Sequence, residues 1–136
     1  MTTAAHLNAT TEQFLNELRH LHFEGDIEVS LAERLISATD NSIYQVMPEA
    51  ILFPKSNHDV EKVMMLLGKP EFQAVTLSTR GGGTGTNGQS LNSGVILDIS
   101  RHMNKILDFD EANRVVTVQT GVVKDQLNEY LRPLGY

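Results

Sequence analysis

The 136-residue sequence contains no cysteine, and it has only four prolines and 6% aromatic residues. Without cysteine, this stretch can form neither a disulfide nor a thiolate metal site, a cysteine nucleophile or a cysteine-held iron–sulfur cluster. It also lacks any apolar run near the ~20 residues that a membrane-spanning helix needs. Met1–Asn8 has neither the basic start nor the apolar centre of a secretion signal. We therefore expect a cytoplasmic location and no transmembrane segment.

Positive charge is also scarce, because the formal net charge is −6. Residues 1–47 carry seven acids and two bases, whereas residues 48–136 carry ten acids and nine bases. No basic stripe is present for a nucleic-acid backbone, and no basic amphipathic segment is present for anionic lipid. We therefore expect no nucleic-acid partner. An anionic ligand remains compatible with this charge if backbone amides hold it instead of Lys and Arg side chains.

Two N-terminal helices are predicted from capping boxes. The first is expected to open at Thr10–Gln13 and to end near Gly25, and the second to open at Ser30–Glu33. A loop is predicted after the second helix, at residues 40–42. The apolar positions that define the two buried faces are Phe14, Leu15, Leu18 and Leu21 in the first helix, and Leu31, Leu35 and Ile36 in the second.

The rest of the chain alternates between strand and helix patterns. Short apolar segments predict strands at 50–53, 74–77 and 95–99, and a hairpin is predicted from 105–109 and 114–120. Ser56 is predicted to cap a helix that ends at Gly68 and buries Met64 and Met65, and a last helix is predicted at 122–131. We expect an α+β fold, with N-terminal helices followed by a small mixed α/β layer. Because the chain stops directly after a helix, where another strand is expected, we expect it to be the beginning of a longer protein.

One glycine-rich segment, Arg80–Gly88, carries the strongest chemical signal. We call it the glycine loop. Consecutive glycines cost backbone entropy, so a solvent loop has little reason to collect five of them in nine residues. Their missing Cβ atoms let N–H groups converge on phosphate oxygens, and a tight surface hairpin is the alternative explanation. The predicted phosphate-binding residues are Arg80, Gly81, Gly82, Gly83, Thr84, Gly85, Thr86, Asn87 and Gly88.

The surroundings of this loop exclude the commonest phosphate motifs. Gly83-x-Gly85-x-x-Gly88 matches the dinucleotide fingerprint, but that motif must open a helix and here a strand is predicted next. A Walker loop requires Gly-Lys-Ser/Thr, whereas Gln89 follows Gly88. A kinase-type loop requires a V-A-I-K lysine, which is absent after the loop. A strand, a glycine loop and a second strand remain, with a long anionic cofactor across them.

These residues resemble the flavin-binding domain of the p-cresol methylhydroxylase/vanillyl-alcohol oxidase superfamily, where an Arg-Gly-Gly-Gly-Thr loop wraps the pyrophosphate of FAD. The match extends over residues 34–136, and the segments that carry it are Thr39–Tyr44, Ile51–Ser56, Leu97–Asn104 and Val118–Val122. Within the superfamily, these motifs are most similar to those of the YdiJ-type dehydrogenases, which are related to D-2-hydroxyglutarate and D-lactate dehydrogenases. The resemblance divides the chain into a helical segment, 1–33, and the N-terminal portion of an FAD-binding domain of the p-cresol methylhydroxylase type, 34–136.

The resemblance implies that the intact enzyme oxidises a small 2-hydroxy acid by hydride transfer to FAD. It also implies that electrons leave through iron–sulfur centres in a downstream part, and that no catalytic residue lies in this stretch. Superfamily members that bind FAD covalently through this loop often carry a histidine four residues after the loop arginine; here that position is Thr84, which predicts non-covalent FAD. The alternative is a non-enzymatic nucleotide-binding or interaction module, which a stop codon after Tyr136 would favour.

Other polar residues are assigned structural roles. Asp40 with Ser42 is expected to form an Asx-type turn, and Asp108, Asp110 and Glu111 a solvated turn. Arg101 and His102 are expected at the surface. Gly121 is expected to need either a positive φ or a close approach to the cofactor. The histidines share no metal-ligand spacing, so no metal site is predicted among His6, His20, His22, His58 and His102.

Overall fold

The computed structural model describes residues 7–136. Two connections between its helices and strands are long, namely residues 38–49 before the second strand and residues 81–94 before the fourth strand. Two short 3₁₀ turns, Pro70–Phe72 and Arg132–Leu134, complete the secondary structure of these residues. In chain order the elements are α1 (Ala9–His20), β1 (Asp26–Glu28), α2 (Leu31–Ser37), β2 (Ala50–Phe53), α3 (Asn57–Leu67), β3 (Leu77–Arg80), β4 (Val95–Asp98), β5 (Ile106–Asp110), β6 (Val115–Val118) and α4 (Lys124–Leu131).

Four strands form one mixed sheet in the order β1-β2-β4-β3. The last three strands of this order are parallel, and β1 pairs antiparallel with β2 at the edge. β2 and β4 are buried at every position, as parallel strands covered on both faces must be. β5 and β6 form a separate antiparallel hairpin. The structure therefore confirms the expected α+β fold with a small mixed layer.

The main core lies between one face of the sheet and helices α1 and α3. Phe14, Leu15 and Leu18 of α1 belong to the same buried cluster as sheet residues such as Leu52 and Leu97. The Phe14 ring meets the Phe72 ring edge to face, with 5.5 Å between centroids. Full burial of each such side chain contributes about 1.5–3 kcal/mol, so α1 is an integral part of the sheet's core.

Three N-terminal predictions are corrected by the structure. Asn8, not the Thr10–Gln13 box, caps α1, since its side chain accepts the Thr10 amide at 2.9 Å. The helix ends before Leu21, and His22 takes the left-handed conformation (φ 56°) that Gly25 was expected to supply. Gly25 instead precedes β1, where an added Cβ would lie 2.6 Å from Phe23 Cε1. Close packing, and not helix termination, therefore requires this glycine.

Helical spacing identified apolar faces without showing what covers them. Leu31, Leu35 and Ile36 of α2 are 61%, 46% and 68% exposed, so their predicted burial is wrong. Met64 and Met65 are each 54% exposed, so the prediction that they fill the core is also wrong. In α3 the buried positions are Val63 and Leu66, together with a polar residue, Asp59. The described part of the chain provides no element over these exposed side chains.

The strand predicted at 74–77 is displaced along the chain. Val75 is 8% exposed but follows a 3₁₀ turn, and its amide donates to the Phe72 carbonyl at 2.9 Å. Pairing begins only at Leu77, opposite Val95. Of the residues 74–77, only Val75 is buried and only Leu77 belongs to β3, so the predicted strand corresponds to the turn before β3 and to its first residue.

The remaining elements agree with the sequence patterns. Ser30 and Ser56 cap α2 and α3, and Gly68 follows α3 as its C-cap. β2, β4, the β5–β6 hairpin and α4 lie where their patterns predicted them. Among residues 7–136, no helix has the length and apolar character needed to cross a membrane.

Candidate functional site

The glycine loop begins at the carboxyl end of β3. Because β3 and β4 are parallel neighbours, residues 81–94 must return from the carboxyl end of β3 to the amino end of β4, and they do so without a helix. Arg80 and Asp98 are paired at the carboxyl end, where the loop leaves the sheet. This edge of an open α/β sheet is where ligands are commonly bound.

The first part of the loop leaves its amides free of protein partners. Within residues 7–136, the N–H groups of Gly81 through Thr86 donate to no protein acceptor, whereas the Asn87 amide donates to Gln89 Oε1 at 3.1 Å. An open cleft of about 480 Å³ lies against this stretch. Its lining comprises Thr79, Gly81, Gly82, Gly83, Thr84, Gly85, Thr86, Gln89 and Ser90. Unpaired amides beside an open cleft can bind an anion without cationic side chains.

Two loop glycines adopt backbone conformations that favour glycine. Gly83 has φ 66° and Gly88 has φ 75°, both in the left-handed region. A Cβ on Gly83 would collide with Arg80 Nη2 and lie 2.8 Å from Arg80 Cζ. A Cβ on Gly88 would lie 3.1 Å from Tyr44 Cδ2. Gly81 differs from both, since a Cβ there would meet nothing within 4 Å.

Arg80 lies beneath the loop, packed against Gly83. Its side chain is only 12% exposed, and its Nε is 4.0 Å from Asp98 Oδ2. Asp98 also accepts the amide and hydroxyl of Ser100, at 2.8 and 2.6 Å. Arg80 Nη1 is buried and has no hydrogen-bond partner in residues 7–136. A buried guanidinium N–H without an acceptor is costly, and a bound anion would remove that cost.

A second cleft, of about 370 Å³, borders the loop on its other side. It is formed by Arg80 and Asp98 together with Phe53 at the end of β2 and Arg101 beyond β4. Gly81 and Gly82 line both clefts, so this glycine pair forms the ridge between them. The two clefts provide room on both sides of a ligand group held at the ridge.

The segment after α2 holds the loop from outside. The Asn41 amide donates to the Gly83 carbonyl at 3.0 Å, and Ser90 Oγ donates to Asp40 Oδ2 at 3.0 Å. Asp40 Oδ1 also accepts the Ser42 amide at 2.8 Å, which confirms the predicted Asx-type turn. These hydrogen bonds, that to Ser42 foremost, and the nearby Arg80 lower the pKa of Asp40 below its ordinary value of 3.8. No sequence pattern predicts that this turn meets the glycine loop and Ser90.

The residues predicted to bind phosphate fall into two groups. Gly81 to Thr86 line the open cleft, whereas Asn87 and Gly88 do not; Thr84, Thr86 and Asn87 are exposed. Arg80 lies below them, mostly buried, and lines the second cleft instead. Its charge therefore reaches the cleft from beneath the loop backbone.

The other polar candidates take structural positions. His102 Nε2 lies 2.6 Å from Asp26 Oδ2, and Arg101 pairs with Glu33 at 3.1 Å while covering the Phe53 ring at 3.4 Å. The hydrogen bond from His102 is the main cause of the lowered pKa of Asp26. These two residues therefore tie β1 and α2 to the turn after β4.

In the part of the chain that the structure describes, neither the histidines nor Gly121 line the two clefts beside the glycine loop. No group of three or more metal-ligating side chains occurs in the described residues, and His6 lies outside them. Gly121 makes a close approach to backbone and not to an open cleft, since a Cβ there would lie 2.7 Å from the Met103 carbonyl oxygen. Its amide donates to that same carbonyl at 2.8 Å.

Known proteins resemble this chain in sequence and in fold. D-2-hydroxyglutarate dehydrogenase of Haemophilus influenzae is 53% identical over 122 residues, covering 90% of this chain and 12% of that protein. Mitochondrial D-lactate dehydrogenase [cytochrome] of Kluyveromyces lactis is 37% identical over 92 residues, covering 65% and 16%. A solved structure of p-cresol methylhydroxylase with substrate bound matches with a TM-score of 0.71 and 17% identity, covering 95% and 26%. The chain thus spans about an eighth of the first relative's length.

A family model described as "FAD binding domain" matches residues 48–136, which is well over half of the chain. That range includes β2, the whole parallel part of the sheet and the complete glycine loop. The solved structure shares the fold that was expected from the superfamily resemblance. The chain therefore belongs to the FAD binding domain family.

Proposed function

We propose that this chain is the part of a flavin-dependent oxidoreductase that holds the pyrophosphate of FAD on the glycine loop. The observation that carries the proposal is the run of unpartnered amides from Gly81 to Thr86, beside an open cleft, in a member of the FAD binding domain family. Free N–H groups provide hydrogen bonds to phosphate oxygens, and glycines allow the backbone to approach them. The buried, unpaired Arg80 Nη1 adds a positive charge that fits the same anion.

The residues of the loop divide this task. Gly81, Gly82, Gly83 and Gly85 provide amides without side chains in the way, and Gly88 allows the turn that closes the loop. Exposed Thr84, Thr86 and Asn87 add hydroxyl and amide donors. With a net charge of −6 and a single arginine in the loop, the binding depends on backbone dipoles more than on ion pairs.

For the whole protein, we propose oxidation of a small 2-hydroxy acid of the D-2-hydroxyglutarate or D-lactate type. The names of the relatives support this substrate class. When bound, FAD would supply the hydride acceptor, and this chain's residues would bind and orient it. We further propose non-covalent FAD, iron–sulfur centres in a downstream part, a cytoplasmic location, and a division into a helical segment, 1–33, and the N-terminal portion of the FAD-binding domain, 34–136.

The substrate proposal is tested on a protein that carries this chain at the length of its relatives. The purified FAD-loaded protein is mixed anaerobically with D-2-hydroxyglutarate, D-lactate or their L enantiomers. We expect one of the D acids to bleach the visible absorbance of oxidised flavin, and the L acids to leave it unchanged. Bleaching by none of the four would reject the substrate class and leave the proposed FAD binding unaffected.

We also propose that the 136-residue chain alone holds FAD weakly and has no dehydrogenase activity. Hydrogen bonds to a charged group contribute about 1.5–3 kcal/mol each. Three or four of them barely offset the several kcal/mol of freedom lost on association. The glycine loop meets only the pyrophosphate, and tight cofactor sites enclose most of the ligand's surface. Titration of FAD with the chain, followed by flavin fluorescence, is expected to give no nanomolar dissociation constant; a nanomolar value would contradict this part of the proposal.

A further inference from the structure

We propose that Asp40 is a positioning residue that holds the glycine loop in the conformation that receives a phosphate group. The identity of the ligand rests on the proposed function, whereas the positioning rests on contacts within the protein. Asp40 lies 50 residues before Ser90 in the chain, and its carboxylate joins the turn after α2 to the residue beyond Gln89.

Both oxygens of this carboxylate are engaged by protein donors. Oδ1 accepts the Ser42 amide at 2.8 Å and so fixes the turn. Oδ2 accepts the Ser90 hydroxyl at 3.0 Å and so attaches that turn to the chain two residues beyond the glycine loop. From the same turn, the Asn41 amide donates to the Gly83 carbonyl at 3.0 Å. One turn thus holds the glycine loop at its middle, at Gly83, and just beyond its end, at Ser90.

The attachment at Ser90 is well shielded from solvent. Ser90 is 7% exposed, although it follows a run of exposed residues. A buried hydroxyl needs a partner, and the carboxylate of Asp40 provides a charge-assisted one. Tyr44, from the same segment, packs its ring beside Gly88. The segment 40–44 therefore contacts the loop at three separate points.

The loop needs such support because its own sequence provides little. Glycines leave the backbone many accessible conformations, and no helix or strand occurs from residue 81 to 94. Its free amides must stay aimed at one place before any ligand arrives, since donors that are already oriented bind an anion with less ordering cost. A turn fixed by hydrogen bonds to Gly83 and Ser90 supplies that order.

Asp40 itself is unsuited to contact the ligand. It carries a negative charge, which repels phosphate, and its two oxygens already accept hydrogen bonds from Ser42 and Ser90. Arg80, the loop's cation, contributes a favourable charge interaction with this carboxylate. Asp40 therefore acts through the loop, and its loss should change loop order before it changes the sheet.

The positioning is tested on the ¹⁵N-labelled 136-residue chain without any ligand. In Asp40→Ala, we expect the Asn41 and Leu91 amides to exchange with solvent about tenfold faster, while amides within β4 keep wild-type rates. Asp110→Ala is the matched control, because Asp110 makes the same kind of side-chain bonds, to Asn113, in a distant hairpin turn. It should leave the loop amides unchanged.

Two further variants keep the test decisive. Asp40→Asn can still accept from Ser42 and can donate to Ser90 Oγ, so we expect it to retain wild-type exchange. If Asp40→Ala fails to fold, Ser90→Ala, which removes only one of the bonds, decides in its place. Wild-type exchange at Asn41 and Leu91 in Asp40→Ala, or in Ser90→Ala, would overturn the positioning role. Equal acceleration in Asp40→Asn and Asp40→Ala would overturn its hydrogen-bond basis.

The link to phosphate is tested separately with inorganic pyrophosphate. In the wild-type chain we expect its addition to shift amide resonances of residues 81–88, and Asp40→Ala to weaken the apparent affinity about tenfold. No shift in the wild type would reject the phosphate site, and with it the proposed function, even if the exchange data support the positioning role of Asp40. Equal pyrophosphate affinity in both proteins would overturn the claim that Asp40 prepares the loop for its ligand.

Discussion

Gly83 allows the loop geometry to be tested by adding a single methyl group. Gly83→Ala places a Cβ on a residue with φ 66°, against the guanidinium of Arg80, whose Cζ would be 2.8 Å away. Gly81→Ala adds the same group two residues earlier, where φ is not in the left-handed range and nothing lies within 4 Å. The two variants differ in local geometry while sharing composition, loop and chemistry.

The two substitutions are expected to change the free energy of unfolding in opposite directions. A left-handed conformation costs a residue with a Cβ about 1–2 kcal/mol. The Arg80 guanidinium, wedged beside Asp98 with 12% of its side chain exposed, must also move. Gly81→Ala encounters neither effect and instead reduces the freedom of the unfolded chain, which stabilises by about 0.4–1 kcal/mol. We therefore expect the free energy of unfolding to fall by about 1–2 kcal/mol in Gly83→Ala and to rise slightly in Gly81→Ala.

Thermal unfolding followed by circular dichroism measures this difference. For a domain of this size, 1 kcal/mol corresponds to about 3–5 °C in Tm. Gly83→Ala should melt several degrees below the wild type, and Gly81→Ala at or slightly above it. Pyrophosphate titration of the folded variants then asks whether the displaced Arg80 also weakens binding. If Gly83→Ala is as stable as Gly81→Ala, the left-handed conformation and the arginine packing assigned to Gly83 are wrong.

Three further predictions concern the packing of Gly121, the pairing of Asp26 with His102, and the attachment of FAD. Gly121→Ala should lower the free energy of unfolding by about 1–3 kcal/mol in urea, because its Cβ would press on the backbone carbonyls of Ile99 and Met103, which cannot rotate away; an unchanged midpoint would contradict this packing. The stabilisation that Asp26 gains from His102 should be complete above the ordinary Asp pKa of 3.8 and be lost as the pH falls through its lower folded value. An acid titration of stability in wild type and Asp26→Asn checks this, and a difference that grows in acid would show the wrong sign. Acid precipitation of the FAD-loaded protein at the length of its relatives should release all flavin, since Thr84 forms no covalent bond; yellow pellets would refute non-covalent attachment.

Local sequence signals predicted most of the secondary structure because they act over a few residues. The N-cap at Ser56 and the apolar run of β4 are both signals between residues that are close in the chain. The structure confirms the helix and the strand that they predicted. Burial was less predictable, since it depends on what packs against a surface. Met64 has the spacing of a core residue but is 54% exposed. The period of a helix identifies a face and does not identify its partner.

The loop could be predicted from composition, whereas its support could not. Five glycines in nine residues indicate close backbone approach whatever the rest of the chain does. The contact between Asp40 and Ser90 joins residues 50 positions apart, and an Asx turn has the same sequence whether or not it meets a loop. Arg80 illustrates the same limit: the sequence places it at the start of the loop, and only the fold shows that its side chain packs beneath the backbone, against Gly83.

The sheet explains how these distant residues come to one place. β2, β4 and β3 are parallel, so the chain leaves each of them at the same edge, at Phe53, Asp98 and Arg80. The turn at 40–44 precedes β2 and contacts the residues after β3 at Gly83, Gly88 and Ser90. A glycine loop is too flexible to define a binding geometry alone. The ends of the strands cannot hold it in place, because most of its residues lie beyond them. The Arg80 side chain from below and the Asp40 turn from outside supply the missing constraints, so the amides of Gly81 to Thr86 can remain unpaired and still be oriented.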